Sequence, residues 1–295
     1  MRVDPFYVQG LVGALNDAKA NEAQLSTELS SGLRVSSLSD DPVAVAQSTV
    51  LGAAISVDDS YVQAASSTES KLQVTDSALG EVVTQLTQAV TLAVSGGNST
   101  LNASDQATIG QELSRIQQQV LSLANTSYLG EYIFAGSQGS AQPFTQSGGT
   151  TTYNGDTALQ YVTTENGQKI QTNVPGSAVF DAPGSSVFAA LNKVVADFAA
   201  GADSGTLGAD SSALSSALAT VSTQRSVIDT SLAQVQSTST YAQTDAAQLT
   251  ASQSSLIAAN SAQVATNLSN VETQSEALDN VIAALEKGSL FDYVK

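Results

Sequence analysis

Asp40 and Asp41 stand side by side immediately before Pro42. Paired carboxylates can hold a divalent cation or pass a proton, so this dipeptide is the first place to look for chemistry. The position also has a mechanical use. Asp is a favoured helix N-cap and Pro a favoured first helical residue, which accounts for Asp41 in full. Other reactive types are missing or scattered. The chain of 295 residues has Cys 0 and His 0. That removes zinc fingers, thiol nucleophiles and the Ser-His-Asp triad. Its many serines have no base in a recognisable arrangement. Gly148-Gly149 lacks a following Gly-Lys-Ser/Thr, so no phosphate loop is expected. Asn98-Ser99-Thr100, Asn125-Thr126-Ser127 and Asn267-Leu268-Ser269 fit the glycosylation pattern, as chance allows in a chain rich in Ser, Thr and Asn. The expectation is a protein that is not an enzyme, with no catalytic residue, cofactor or metal.

The charge balance points the same way. Lys and Arg total 10 against 27 Asp and Glu, a net charge of −17. Such a polyanion repels nucleic acid and anionic lipid, so neither is an expected partner. No stretch is apolar enough to span a bilayer. The opening Met1-Arg2-Val3-Asp4-Pro5, with Gln9, Asn16, Asp17 and Lys19 behind it, lacks the apolar core of a secretory signal peptide. The expectation is a chain that stays inside the cell or leaves by a route that uses no cleaved signal.

What remains is a set of long helices. The five prolines are Pro5, Pro42, Pro143, Pro175 and Pro183, so two long proline-free stretches flank the middle of the chain. Each carries apolar residues in alternating steps of four and three, the seam of a coiled coil. One seam runs Leu51, Ile55, Asp58, Val62, Ala65, Glu69, Leu72, Asp76, Leu79, Val83, Leu86, Val90, Ala93. Others are Ile109, Leu113, Ile116, Val120, Leu123 and Leu214, Leu218, Val221, Arg225, Ile228, Leu232, Val235. The chain ends carry two more: Leu11, Leu15, Ala18, Glu22, Leu25, Leu29, and Val264, Leu268, Val271, Ser275, Leu278, Ile282, Leu285. Each terminal seam needs a partner, and the simplest is the other. Arg225 either snorkels out of its seam or pairs with an acidic seam residue such as Glu69 and sets register.

Asp41 and Pro42 predict a helix start, and Ser95-Gly96-Gly97-Asn98 a stop. Ser104 or Asp105 is the expected cap of a returning helix that runs to about Tyr128. Helix is expected again from Val187 to about Ala200. A loose connection follows over Gly201 to Gly208, and then helix from about Ala209, with a joint near Ser252 to Ser255. Between Gly130 and Gly184 the character changes. Glycine is frequent, and the runs Thr150-Thr151-Thr152-Tyr153 and Leu159 to Thr164 read as strands. Asn154-Gly155 and Asn166-Gly167 read as hairpin turns. The fold class is mainly α, long antiparallel coiled-coil helices with a small β-rich insert.

Four stretches resemble the bacterial flagellin family. Leu29 to Ala44, reading Leu-Ser-Ser-Gly-Leu-Arg-Val-Ser-Ser-Leu-Ser-Asp-Asp-Pro-Val-Ala, is the first. Filament flagellins typically continue Asp-Asp-Ala-Ala-Gly, whereas Asp-Asp-Pro-Val-Ala is the form of members at the hook–filament junction. The others are Leu123 to Ser137 with Pro143-Phe144, then Tyr153-Asn154-Gly155-Asp156 with Asn173 to Gly176 and Val179-Phe180, then Ser289-Leu290-Phe291-Asp292-Tyr293-Val294. They occur in the family's order.

The resemblance implies a division into three parts. Residues 1–33 plus 256–295 would form an inner terminal coiled-coil domain. Residues 34–136 plus 185–255 would form a helical rod, and residues 137–184 an outward β insert. Gly32, Arg34, Asp40, Asp41 and Pro42 would be the inter-domain connector and helix cap, with geometric roles. Leu11, Leu15, Leu25, Leu29, Leu268, Val271, Leu278, Ile282 and Leu285 would be the terminal assembly seams. Asn125, Gly130, Tyr132, Phe134 and Gly136 would make the rod-to-insert transition. The implied partners are copies of the chain in a ring, a neighbouring hook-associated protein, filament flagellin and an export chaperone. The implied place is outside the cell, in the flagellum, after export through the flagellar channel. A filament flagellin and a secreted coiled-coil adhesin are the alternatives.

Overall fold

The computed structural model describes residues 5–97, 102–164 and 166–291. Met1 to Asp4, the Asn98-Ser99-Thr100 pattern and the Asp292-Tyr293-Val294 end of the last motif lie outside the described residues. Among the described residues there are seven helices: α1 (Pro5–Ser31), α2 (Pro42–Gly96), α3 (Ala103–Ala124), α4 (Gly176–Phe180), α5 (Val187–Ala200), α6 (Ser204–Ile257) and α7 (Ser261–Phe291). Six short strands lie between α3 and α4: β1 (Ser127–Tyr128), β2 (Glu131–Tyr132), β3 (Phe144–Ser147), β4 (Thr150–Tyr153), β5 (Tyr161–Thr163) and β6 (Lys169–Gln171). They pair consecutively as three antiparallel ladders, with Phe144 opposite Tyr153 and Val162 opposite Ile170. No helix among the described residues is long and apolar enough to cross a membrane. The mainly helical class with a small β insert is as expected.

The chain divides into two compact units, Val57–Thr244 and the two chain ends, Met1–Ser56 with Asp245–Lys295. In the larger unit the seams become a core. On α2, Asp58, Ala65, Leu72, Leu79, Leu86 and Ala93 fall seven residues apart and are all buried. On α6, Leu207, Leu214, Val221, Ile228, Val235 and Ala242 do the same. The intervening seam positions, such as Val83, Val90, Leu218 and Leu232, pack against this line from the side, partly buried. Arg225 does not pair with Glu69. Its Nε donates to Asp76 Oδ1 at 2.6 Å and its Nη2 to Asp76 Oδ2 at 3.2 Å. Glu69 instead accepts from Gln236 Nε2 at 2.6 Å. Residue 80 is glycine, and a Cβ there would stand 3.3 Å from the central carbon of the guanidinium, so the pair lies close over this turn of α2.

Helix ends differ from expectation where a nearby side chain supplies a better cap. Asn102, in extended backbone, accepts from the Asp105 N–H at 2.9 Å and starts α3, so neither Ser104 nor Asp105 is the cap. That helix stops at Ala124, short of Tyr128, because Asn125 caps it. The loose connection is shorter than Gly201 to Gly208. Gly201 ends α5 at φ 69°, and Asp203 Oδ1 accepts from the Thr206 N–H at 2.8 Å, starting α6 at Ser204. Gly205 and Gly208 are helical although glycine costs about 1 kcal/mol there; the fully buried Leu207 between them holds the turn. Lys193 ties the two helices by reaching both Asp197 and the buried Asp210. Asp197 first, and then Asp210, push the Lys193 ammonium up to about 12.

In the smaller unit, α1 packs along α7. Lys19 Nζ lies 3.7 Å from Asp279 Oδ2, and Leu33 bridges Ala258 where α7 is about to begin, so the two helices run antiparallel. The two terminal seams pair with each other, as their positions predict. The helix joint falls at Ala258 to Asn260, a few residues past the expected place, where Asn260 Oδ1 accepts from the Gln263 N–H at 3.2 Å.

Candidate assembly site

The connector between α1 and α2 is held from both sides. Gly32, at φ 71°, turns the chain out of α1 while its N–H donates to Glu28 O at 2.9 Å. A side chain in that left-handed conformation is strained, which is why glycine ends the helix. The next residues then lie against the joint that follows α6. Arg34 N donates to Ile257 O at 2.8 Å, and Ala259 N to Gly32 O at 2.8 Å. The Arg34 guanidinium reaches Leu256 O at 2.9 Å and Asp41 Oδ2 at 3.3 Å. Val35, 5% exposed, seals the contact.

The two carboxylates have separate tasks. Asp41 Oδ1 accepts from the Ala44 N–H at 3.0 Å, the N-cap of α2, with Pro42 at the first helical position. That bond, followed by Arg34, holds the Asp41 carboxyl below its ordinary value. Asp40 faces backward. Its Oδ2 accepts from the Ser36 N–H at 2.9 Å, the Ser37 N–H at 2.8 Å and the Ser36 hydroxyl at 3.1 Å. The backbone donors of Ser36 and Ser37 bring its carboxyl down to about 2. Each carboxylate is engaged by donors of its own connector. Among the described residues no group of three His, Cys, Asp or Glu side chains could hold a metal ion.

The terminal seam residues come together only partly. Leu11, Leu15, Leu25, Leu268, Val271, Leu278, Ile282 and Leu285 are half-buried, and Leu29 is 40% exposed. Among the described residues of this helix pair, the buried ones are Ala18, Val264 and Ser275, two of them small.

Of the transition residues, Asn125 and Phe134 meet at an aromatic core. Asn125 acts as a clamp: its Nδ2 donates to Leu121 O at 3.1 Å and Phe144 O at 2.9 Å, and its Oδ1 accepts from the Phe144 N–H at 2.9 Å. Phe134, fully buried, meets Phe180 edge-on at 5.2 Å, and Phe144 packs on Phe180, Phe188 and Tyr153. Gly136, at φ 72°, sits so close to Asp156 that a Cβ would collide with its carboxylate. Tyr132 is half-buried, with its N–H on Gly139 O at 2.7 Å. Gly130 stands apart, in the exposed turn between β1 and β2.

Several residues that shape this region have no periodic signal. Asp156 accepts from the Ser137 N–H at 2.8 Å and the Ala158 N–H at 3.0 Å, and Tyr153 donates to Phe134 O at 3.0 Å. The hairpin turn between β3 and β4 is Gly148-Gly149, both at positive φ, not Asn154-Gly155. Asn154 is instead drawn to Pro143 O by its N–H at 2.7 Å.

The comparisons bear out the motif resemblance. Residues 11–139 match the bacterial flagellin N-terminal helical region. The chain is 33% identical over 187 residues to flagellar hook-associated protein 3 of Salmonella typhimurium, covering 61% of this chain and 59% of that one. It thus spans about 59% of the length of that relative. Among solved structures it is similar to one assigned to a flagellar hook-associated protein of Vibrio parahaemolyticus. The TM-score is 0.68 at 18% identity, over 74% of this chain and 100% of that one. It is likewise similar to the flagellar junction protein FlgL of Legionella pneumophila, with a TM-score of 0.61 at 17% identity, over 72% and 100% of the two chains. At those identities the structural likeness establishes the fold.

Proposed function

We propose that this chain, a relative of the flagellins through its N-terminal helical region, is a structural subunit of the bacterial flagellum at the junction between hook and filament. The observation that carries the reading is the terminal helix pair. Its apolar seam residues stay half-covered when α1 and α7 are packed, which leaves a coiled coil that further helices complete. The similarity to hook-associated protein 3 of Salmonella typhimurium supports this reading. In this reading residues 1–33 plus 256–295 are the inner assembly domain, residues 34–136 plus 185–255 the rod, and residues 137–184 the insert. Copies of the chain form a ring between a hook-associated protein and filament flagellin. The chain works outside the cell, with an export chaperone holding its C-terminal part before assembly. Its work is mechanical, and no residue is assigned a catalytic role.

The connector supports the reading because its hydrogen bonds fix how the chain passes from α1 into α2. The match to the flagellin N-terminal region also fits a second reading, filament flagellin. Electron microscopy of a deletion strain separates them. Loss of a junction subunit leaves hooks on cells and filament material in the medium. Loss of the flagellin leaves no filament anywhere, and intact attached filaments would contradict both.

A further inference from the structure

We propose that the outer face of the first turns of α2 is a contact surface for a second copy of this chain. The proposal rests on the assembly role above and gives it a second, distinct face. Val43, Ala46, Val50 and Ala53 follow one another in steps of three, four and three. That is a heptad seam, and it points away from the α2 face that packs in the chain. The inward side is marked by buried Ala44 and by Ser48, whose carbonyl accepts from Gln253 Nε2 of α6 at 2.9 Å. The outer residues are uncovered: Val43 is 66% and Val50 70% exposed, and Ala46 and Ala53 are exposed with them. Beside this stripe lies an apolar groove of about 440 Å³, lined by Ala46, Gln47, Val50, Leu51 and Leu256. A stripe of β-branched and small residues in heptad spacing, with a groove along one flank, is shaped to take another helix at close range.

Charge selects the occupant. The chain has a net charge of −17, so two copies repel over most of their surfaces. Residues 42–57 and 246–271 contain no Asp, Glu, Lys or Arg, in a chain where charged residues make up 13%. These two stretches run together where Gln253 meets Ser48. Apart from Asp40, Asp41 and Arg34 at its N-terminal end, where Arg34 is paired with Asp41, the stripe and its groove therefore sit in a neutral band that a second polyanion can approach with little like-charge repulsion. The carboxylates nearest the stripe, Asp40 and Asp41, are already engaged by the Ser36, Ser37 and Ala44 amides and by Arg34, so a basic partner gains little there. Four small side chains fall short of the ~800 Å² per partner of a stable free-standing pair, so the contact forms at high local concentration and supports the terminal seam.

The absence of cysteine makes the test direct. In the purified full chain, Val50→Cys is treated with a short bis-maleimide at rising protein concentration. Thr49→Cys, exposed on the same turn but off the stripe, is the control. The expected result is at least tenfold more cross-linked dimer from Val50→Cys than from Thr49→Cys. Adding Val43→Glu to an Ala46→Cys chain should abolish the Ala46→Cys dimer without moving the melting temperature. Equal cross-linking at positions 50 and 49, or Ala46→Cys dimers that persist with Val43→Glu, would overturn the proposal. The flagellar reading is judged separately by antibody detection of the unaltered chain on isolated flagella, so the two can fail independently.

Discussion

In the larger unit, the proposed rod, Leu72, Leu79 and Leu86 of α2 and Leu214, Val221 and Ile228 of α6 are fully buried. In the terminal pair, Leu15, Leu25, Leu268 and Leu278 follow the same spacing and remain half-covered. The difference lies in how many elements surround each seam. In the rod, α3, α5 and the insert close over α2 and α6, so that Leu113, Ile116, Leu191 and Phe198 join one core. In the terminal pair α1 packs along α7 alone among the described residues, and a two-helix seam cannot take a leucine fully out of water. The same sequence pattern therefore makes a self-sufficient domain in one place and a half-made interface in the other.

Breaking the comparison should have its largest effect in the rod. Leu79→Ala is expected to lower the stability of the isolated chain by about 2–5 kcal/mol, read by chemical denaturation, because it empties a closed core. Leu15→Ala should cost less than about 1 kcal/mol in the same assay, since the half-covered side chain has less transfer energy to lose. It should nevertheless impair assembly. A similar stability loss for both would mean that the terminal pair is already a closed core. Next in size is Asn125→Ala, at about 2 kcal/mol, because the Phe144 N–H and the Phe144 and Leu121 carbonyls lose their partner. Gly32→Ala should cost roughly 1 kcal/mol through backbone strain at positive φ. It should act on the terminal unit and leave the main melting transition of the rod in place.

The smallest effect is on acidity. The Asp40 carboxyl, ordinarily near 3.8, is held at about 2 in the folded connector. A depressed carboxylate stabilises above its ordinary value, and that contribution is lost as pH falls from about 4 toward 2. The chain has Trp 0, so Leu38→Trp in the exposed connector gives a clean fluorescence signal. A local transition in that window should be present with Asp40 and absent in Asp40→Asn. An unchanged acid transition in Asp40→Asn would remove Asp40 as its source.

These contrasts were legible in the sequence to different depths. Period and capping are local, so the seams, the Asp41-Pro42 start of α2 and the pairing of the chain ends could be read directly. Degree of burial could not, because a heptad records which face is apolar and not how many neighbours cover it. The partner of Arg225 was equally out of reach. Glu69 and Asp76 occupy equivalent seam positions one heptad apart, and only the register of helices far apart in sequence chooses Asp76. At Asn154-Gly155 a strong local turn signal lost to tertiary demand, since Tyr153 turns its hydroxyl toward the Phe134 and Asp156 carbonyls. Asp40 showed only as half of a carboxylate pair, because its donors, the Ser36 and Ser37 amides, belong to backbone that the pair itself shapes.

Hydrogen exchange followed by mass spectrometry, on the full chain when dilute and when assembled, tests the central claim most directly. Amides of residues 11–29 and 264–285 should exchange at least a hundredfold faster than those of residues 72–93 and 214–242 in the dilute chain, and become protected on assembly. Terminal amides as protected as the rod in the dilute chain, with no change on assembly, would contradict the account.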